Sequence, residues 1–133
     1  MTWSETDRYR VAEAAYELYR QGAYDRAAQV LEVLWGAAPE PWTARALSAC
    51  YLSLGAAERA VALLEAAIRT APGDLRLRLR LAEALAACGR RAEAARMAQT
   101  ARGAVPPAEW TRVALLVRDQ QLPAVANDIW SER

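Results

Sequence analysis

Apolar residues recur along the chain at spacings of three and four positions, which is the pattern of α-helices that bury one face. Glycine and proline interrupt this pattern and divide it into seven segments. The segments predict helices at about residues 5–21, 26–37, 41–54, 57–70, 75–88, 91–103 and 108–121. The expected fold class is therefore all-α.

The ends of the predicted helices carry residues that commonly cap helices. Residues Ser4 to Asp7 have the form of a capping box before the first helix, and Asp25 is suited as the N-cap of the second. Gly22 should close the first helix, because a glycine accepts the positive φ that helix ends often need. Pro41 suits the first turn of the third helix.

One stretch conflicts with the helical pattern. Residues 75–81 alternate leucine with arginine, and strict alternation by itself is typical of a β-strand. We nevertheless predict a helix, because Asp74 is a suitable N-cap and the alanine-rich run that follows favours a helix. Its arginines Arg76, Arg78 and Arg80 are interpreted as a solvated helix face in preference to a nucleic-acid contact.

The helix-closing glycines return at a fixed period. Gly22, Gly55 and Gly89 are 33 and 34 residues apart. Each is followed five residues later by an alanine and seventeen residues later by a proline, at Ala27, Ala60, Ala94, Pro39, Pro72 and Pro106. A period near 34 indicates a helical repeat array. The register calls for a fourth glycine at position 123, where the residue is Pro123, so the array should end there.

The period also predicts the domain organisation. We expect one domain over residues 1–133, with repeats at about 8–40, 41–74 and 75–108, followed by a capping helix and tail at 109–133. The tail contains the apolar residues Val125, Ile129 and Trp130. Whether these residues cover the last helix or enter the groove of the array stays open. Small residues are expected where paired helices cross, at Ala15, Ala27, Ala60, Ala82 and Ala94.

Composition narrows the class of function. The chain has 133 residues, 54% of them hydrophobic, and a formal net charge of +1, which is unlike the basic surplus of nucleic-acid-binding proteins. It has no histidine, and no metal-ligand cluster, phosphate-binding loop or nucleophile–base pair is visible. We therefore expect no enzymatic activity, no metal, no cofactor and no nucleic-acid partner.

Other features bear on the compartment. No apolar run approaches the about 18 residues of a membrane span, and the polar, acidic start is unlike a signal peptide. Cys50 and Cys88 lie in apolar helical segments, where we expect reduced, buried thiols in preference to a disulfide. These features predict a cytoplasmic protein without membrane insertion.

The periodic residues resemble the tetratricopeptide repeat from residue 8 to about residue 121. The matching positions are Gly22, Ala27, Leu31, Pro39, Gly55, Ala60, Leu64, Pro72, Gly89, Ala94, Ala101 and Pro106. The third repeat departs most, because Arg91, Ala98 and Arg78 replace an aromatic, a bulky and an apolar residue. The resemblance implies a right-handed superhelix of about seven antiparallel helices, made of three repeats and a capping helix.

In this family the first helix of each repeat lines a concave groove that binds protein segments. The groove positions lie thirteen, ten, six and three residues before each hinge glycine, on one helix face. In this chain they are Tyr9, Ala12, Tyr16, Tyr19, Trp42, Arg45, Ala49, Leu52, Arg76, Leu79, Glu83, Ala86, Trp110, Val113, Val117 and Gln120.

The groove positions are aromatic and aliphatic at both ends, although this face should be open to water. Two interpretations stay open: the aromatic side chains are exposed and bind an apolar partner, or they fold back as packing at the ends of the array. Glu83 is interpreted as a specificity contact or as a partner of Arg45 or Arg76. The Lys, Asn and Arg clamp that related co-chaperones use for a C-terminal carboxylate is excluded, because the chain has no lysine and its one asparagine, Asn127, lies outside the groove.

Stretches of the repeats further resemble bacterial type III secretion chaperones. The stretches are residues 16–24, 46–50 and 81–85. This resemblance implies a small secreted client, such as a needle or translocator component, held in the groove before export, in some cases with a helical co-chaperone. A generic adaptor in another complex is the alternative. The client's identity and direction, and a monomeric, homodimeric or heterodimeric state, stay open.

Overall fold

The computed structural model describes residues 2–118 of the chain, and this part forms seven α-helices and no strand. The helices are α1 (Glu5–Arg20), α2 (Tyr24–Ala37), α3 (Pro41–Ser53), α4 (Ala57–Thr70), α5 (Leu75–Ala87), α6 (Arg91–Thr100) and α7 (Pro107–Arg118). The all-α prediction is confirmed, and the leucine–arginine alternation lies within α5. The predicted tail cap, which includes Val125, Ile129 and Trp130, lies outside the described residues, as does Gln120.

Several predicted helix ends are confirmed by their hydrogen bonds. The Ser4 hydroxyl accepts a bond from the Asp7 backbone N–H, and the Asp7 carboxylate accepts one from the Ser4 N–H, which completes the capping box. Hydrogen bonds that the Ser4 hydroxyl and the Ser4 backbone N–H donate to the Asp7 carboxylate lower the pKa of Asp7. Asp74 caps α5 by accepting from the Leu77 N–H at 3.2 Å, and Pro41 stands in the first turn of α3.

Two predicted helix ends are wrong. The N-cap of α2 is Ala23, and Asp25 lies inside the first turn of the helix, where its negative charge is favourable beside the helix N-terminus. The second error concerns α6, which ends at Thr100 instead of about residue 103. A turn follows α6, with Gly103 at a φ of 84°.

The three hinge glycines share one closing geometry. Gly22, Gly55 and Gly89 all have φ between 73° and 80°. At the first hinge the N–H of Gly22 donates to the Tyr19 carbonyl, and the N–H of Ala23 donates to the Leu18 carbonyl at 2.9 Å. The equivalent pairs of bonds are present at the other two hinges, and together they form the Schellman motif. The 34-residue register therefore repeats one turn that requires glycine.

Substitution at a hinge should cost stability because of this backbone conformation. We expect Gly55→Ala to lower the free energy of unfolding by about 1 kcal/mol, since alanine is strained at positive φ. Gly36→Ala is the matched control, because Gly36 lies inside α2 and an added Cβ there meets no atom within 4 Å. Chemical denaturation should show a loss at Gly55 and no loss at Gly36. Equal losses at both positions would contradict this account of the hinge.

Alanines allow the helices to pack closely. Ala15, Ala27, Ala60, Ala82 and Ala94, the residues predicted at helix crossings, are all completely buried. Each helix contacts the helix that follows it in sequence, and α5 also contacts α3 and α7. The core is therefore a continuous layer between successive helices, and the odd-numbered helices form one face of the array.

The two cysteines have free thiols in different surroundings. Cys50 is buried in α3, and burial raises its pKa to about 12. Cys88 follows α5 and is only partly buried, although burial still raises its pKa to about 11, with a contribution from the neighbouring Glu58. The prediction of buried thiols therefore holds for Cys50 and is wrong for Cys88.

Candidate partner-binding groove

The predicted groove residues in the described range lie on the odd-numbered helices and fall into three classes of solvent exposure. Tyr9, Tyr16 and Arg76 are exposed, and Tyr19, Trp42, Leu52 and Trp110 are partly exposed. The remaining positions are buried, namely Ala12, Arg45, Ala49, Leu79, Glu83, Ala86, Val113 and Val117. The expectation that the whole face is open to water is therefore wrong for these buried residues. The exposed aromatic residues are concentrated on α1.

A cavity of about 240 Å³ opens beside the exposed end of α1. Its lining comes from α1, the end of α2 and the start of α3, and consists of Glu5, Arg8, Tyr9, Ala12, Leu34, Glu40, Trp42 and Thr43. This volume is below the roughly 300–1,000 Å³ of sites for small molecules. The cavity is suited to one side chain of a partner more than to a complete metabolite.

An ion pair forms one side of this cavity. Arg8 Nη1 lies 2.7 Å from Glu40 Oε1, and the two side chains are 38% and 51% exposed. Glu40 is the N-cap residue of α3, so the pair connects α1 to the start of the next repeat. The charges of this pair offset each other, Glu5 adds one further negative charge to the lining, and Tyr9, Leu34 and Trp42 supply its apolar surface.

Tyr19 contributes to packing between helices. Its hydroxyl lies 3.4 Å from the Ser53 hydroxyl at the end of α3, and its ring meets the Tyr24 ring edge-on with centroids 5.0 Å apart. Burial raises the pKa of Tyr19 above its ordinary value, and the hydrogen bond with Ser53 opposes that shift. The interpretation of groove aromatics as internal packing therefore applies to Tyr19, in contrast to the exposed Tyr9 and Tyr16.

Trp110 connects α7 to α6. Its indole Nε1–H donates to the Ala98 carbonyl at 2.8 Å, and the Arg102 guanidinium carbon lies 4.8 Å from the centre of its ring system. The same carbonyl also accepts from the backbone N–H of Ala101 at 3.1 Å, so the indole is its second donor at the end of α6. Trp110 is therefore a packing residue at the end of the array.

The α5–α7 end of the face contains a network of four charged residues, three of which are buried. Arg80 Nη2 donates to Glu109 Oε1 at 2.8 Å, and Arg112 Nη2 donates to Glu83 Oε1 at 2.7 Å. Arg80 Nη1 also lies 2.8 Å from the same Glu83 oxygen. The side chains of Arg80, Glu83 and Glu109 are at most 7% exposed. The interpretation of Arg80 as part of a solvated face is therefore wrong.

Arg45 forms a second buried ion pair. Its Nη1 lies 3.0 Å from Asp74 Oδ2, and its side chain is only 7% exposed. The other carboxylate oxygen of Asp74 caps α5, so a single carboxylate both starts α5 and binds α3 to it. Within the described structure Arg45 and Glu83 stabilise the array, and their predicted contact with a client stays a proposal.

The residues that the sequence prediction missed are neighbours of those it selected. Glu5, Arg8, Glu40 and Thr43 line the cavity, and none of them occupies a position of the 34-residue period that the sequence pattern identifies. Glu109 and Arg112 had a detectable signal. An Arg-x-x-Glu pair at 80–83 matches a Glu-x-x-Arg pair at 109–112, which places opposite charges at corresponding positions of two helices.

Comparison with known proteins identifies the class of this fold. The family model described as tetratricopeptide repeat matches residues 18–67 and again residues 51–117. The matches together cover more than half of the chain, and the protein belongs to the tetratricopeptide repeat family. The resemblance in the sequence is thereby confirmed, and the repeats of this family support a protein-binding adaptor role. No curated protein and no solved structure matches the chain.

Residues 2–118 also bear on membrane insertion and on metal binding. No helix in this range is both long and apolar enough to cross a membrane. The same range contains no group of three or more cysteine, aspartate or glutamate side chains placed to hold a metal ion.

Proposed function

We propose that this protein binds an apolar segment of a partner protein along the groove, beginning at the α1 end. The observation that carries the proposal is the exposure of Tyr9, which lines the 240 Å³ cavity, and of Tyr16, seven residues further along α1. Tyr9 is 59% exposed and Tyr16 is 37% exposed, and both project from one face of α1. Large apolar side chains grouped on a surface commonly mark a site of protein contact.

The size of this surface limits the affinity that it can supply. Burying about 100 Å² on each of Tyr9, Tyr16 and Trp42, at about 25 cal/mol/Å², provides about 7 kcal/mol before costs. Association costs at least about 4 kcal/mol, which leaves about 3 kcal/mol and a Kd in the millimolar range. A tighter complex therefore needs a partner that extends along the groove past these three rings, toward Leu52 and Arg76.

We further propose that the partner is a small exported protein, as in the type III secretion chaperones that the sequence resembles. Such a client presents an apolar or amphipathic segment before it assembles, which matches the apolar character of the exposed end of the groove. In this role the chain works in the bacterial cytoplasm, alone or with a helical co-chaperone, and as a monomer, a homodimer or a heterodimer. The family membership equally supports a generic adaptor.

A pull-down of the tagged full chain from its native host separates the two roles. Intact mass spectrometry of the eluate should show a stoichiometric small protein whose gene lies with those of an export apparatus. Recovery within a large housekeeping assembly would support the adaptor instead. Recovery of the chain alone from cells that express the export apparatus would contradict the chaperone role.

Substitutions on α1 should remove the partner without unfolding the protein. We expect the double variant Tyr9→Glu and Tyr16→Glu to reduce partner recovery at least about tenfold, because each charge must lose its hydration in the complex. Melting should change by only a few degrees, since surface substitutions are usually within about 0.5 kcal/mol. Circular dichroism and quantitative pull-down measure the two effects.

Val33→Glu is the matched control for these variants. Val33 lies on α2, outside the groove set, and its exposure of 59% equals that of Tyr9. This variant should retain the partner. If it loses the partner as strongly as the tyrosine variant does, the binding surface lies elsewhere on the molecule. Tyr19 is unsuitable for the test because its substitution would also disturb packing against Ser53 and Tyr24.

A further inference from the structure

We propose that residues 119–133, the segment after α7, bind in the groove of their own chain and compete there with the partner. This inference rests on the proposed function, because it concerns regulation of the same surface.

The orientation of α7 determines where the segment begins. Arg80 is bonded to Glu109 and Glu83 to Arg112, and each pair is separated by 29 residues. Equal separations mean that α5 and α7 run in the same direction and in register. Arg118 therefore lies at the same end of the array as the hinge glycines. The described chain ends there, on the helix that contacts α5, and partly exposed Leu52 lies near the same end of α3.

The segment is long enough to reach α1. Packed helices lie about 8–10 Å apart, and α7 with α5 and α5 with α3 are such pairs. Because α1 is joined to α3 through the side chains of Arg8 and Tyr19, the path from α7 to α1 amounts to at least about 30 Å. The 15 residues from 119 to 133 can span up to about 50 Å when extended. The segment can therefore cross the complete groove and still place several residues beside Tyr16 and Tyr9.

The sequence of the segment complements the groove. Val125, Ile129 and Trp130 are apolar and match the exposed aromatic residues of α1, while Asp128 and Glu132 carry charge opposite to that of the exposed Arg76. Contact between the two would remove both sets of apolar side chains from water.

The affinity of the surface favours a tethered occupant. Contacts to three rings give only millimolar binding, which is too weak for a separate protein at micromolar concentration. A segment joined to the same chain experiences an effective concentration in the millimolar range, so it occupies such a site substantially. A second copy of the chain has no such advantage, and an extended partner must displace the segment.

Photo-crosslinking of the full chain tests this contact without a client. Tyr16→p-benzoylphenylalanine places the reactive group in the groove, and Val33→p-benzoylphenylalanine is the control outside it. Trypsin cleaves after Arg10, Arg20 and Arg118, so a contact joins peptide 11–20 to peptide 119–133. Irradiating mixed ¹⁴N- and ¹⁵N-labelled chains separates contacts within one chain from contacts between copies.

From the label at position 16 we expect a crosslink between peptides 11–20 and 119–133 that carry the same isotope. From the label at position 33 we expect no crosslink to peptide 119–133. Crosslinks that join two different isotopes as often as two identical ones would overturn the inference. The absence of a crosslink from position 16 in a chain with normal helical content would also overturn it. Adding Ile129→Glu and Trp130→Glu should lower the crosslink yield about tenfold and raise partner recovery. An unchanged yield would also overturn it.

The two proposals fail in distinguishable ways. Formation of the matched crosslink with no recoverable partner would overturn the proposed function and support the contact within the chain. Recovery of a partner without the crosslink would overturn the present inference alone.

Discussion

Replacing Arg80 with methionine should lower the free energy of unfolding by about 3–5 kcal/mol, which is the usual effect of removing one partner of a buried ion pair. The substitution removes the donor of Glu109 and one cation beside Glu83, while both carboxylates stay buried. A loss of this size should lower the melting temperature by on the order of 10–20 °C. Denaturant unfolding followed by circular dichroism measures it.

Two further variants show whether the buried charge causes the loss. Arg76→Met makes the same change on the exposed side of α5 and should cost less than about 1 kcal/mol. The double variant Arg80→Met and Glu109→Leu should recover a large part of the stability, because Glu83 keeps its hydrogen bond to Arg112 at 2.7 Å. If the double variant is as unstable as the sum of the single variants, the two residues are not coupled and the network has been misinterpreted.

The second large effect is expected at Asp74, whose carboxylate both caps α5 and forms an ion pair with Arg45. Asp74→Ala should cost about 3 kcal/mol, since it removes an N-cap worth about 1 kcal/mol and a charged hydrogen bond to buried Arg45 worth about 1.5–3 kcal/mol. Asp74→Asn preserves the cap, because asparagine caps helices as well as aspartate does. The difference between the two variants should therefore be about 1 kcal/mol.

A cycle with Arg45→Met completes this measurement. When Arg45 is replaced by methionine, the free energies of unfolding of the two Asp74 variants should still differ by the contribution of the N-cap. The loss of stability caused by Asp74→Asn should be smaller than it is in the chain that retains Arg45. Equal cost of Asp74→Asn in both backgrounds would contradict an energetic contribution from the 3.0 Å ion pair.

The parts of the fold that repeat were predictable from the sequence. Gly22, Gly55 and Gly89 recur because each closes the same pair of hydrogen bonds, and one recognised hinge therefore identifies the others. The same register correctly placed residues 75–81 in a helix despite their alternation. The positive φ at each hinge favours glycine, so this repeated backbone conformation is visible in the sequence as a repeated glycine.

The errors at the helix ends occur where individual hydrogen bonds, and not the spacing of apolar residues, determine where a helix begins or ends. The end of α6 depends on the Trp110 indole and on the Thr100 hydroxyl, which donate to the carbonyls of Ala98 and Met97, and the periodicity of α6 contains no such information. The start of α2 follows from the hinge at Gly22, which leads directly into the helix before Asp25 can cap it.

Exposure within the groove was the least predictable property. The 3, 4, 3 spacing correctly placed the selected residues on the odd-numbered helices, but exposure depends on which helix covers each position. Arg80 and Glu83 are buried because α7 supplies Glu109 and Arg112 opposite them. Tyr9 and Tyr16 stay exposed on α1, the first helix of the array. Spacing alone does not distinguish these two environments.

Packing between successive helices also has a consequence for how the molecule folds and opens. Most contacts join helices adjacent in sequence, so folding requires few closures of long loops and should be fast. Local opening should begin at the ends of such an array and spread inward, so that amide hydrogens exchange more slowly in α3 and α4 than in α1. At the other end, the charges shared by α5 and α7 couple helices that are not neighbours in sequence, and the third repeat should therefore exchange together with α7 as one cooperative unit.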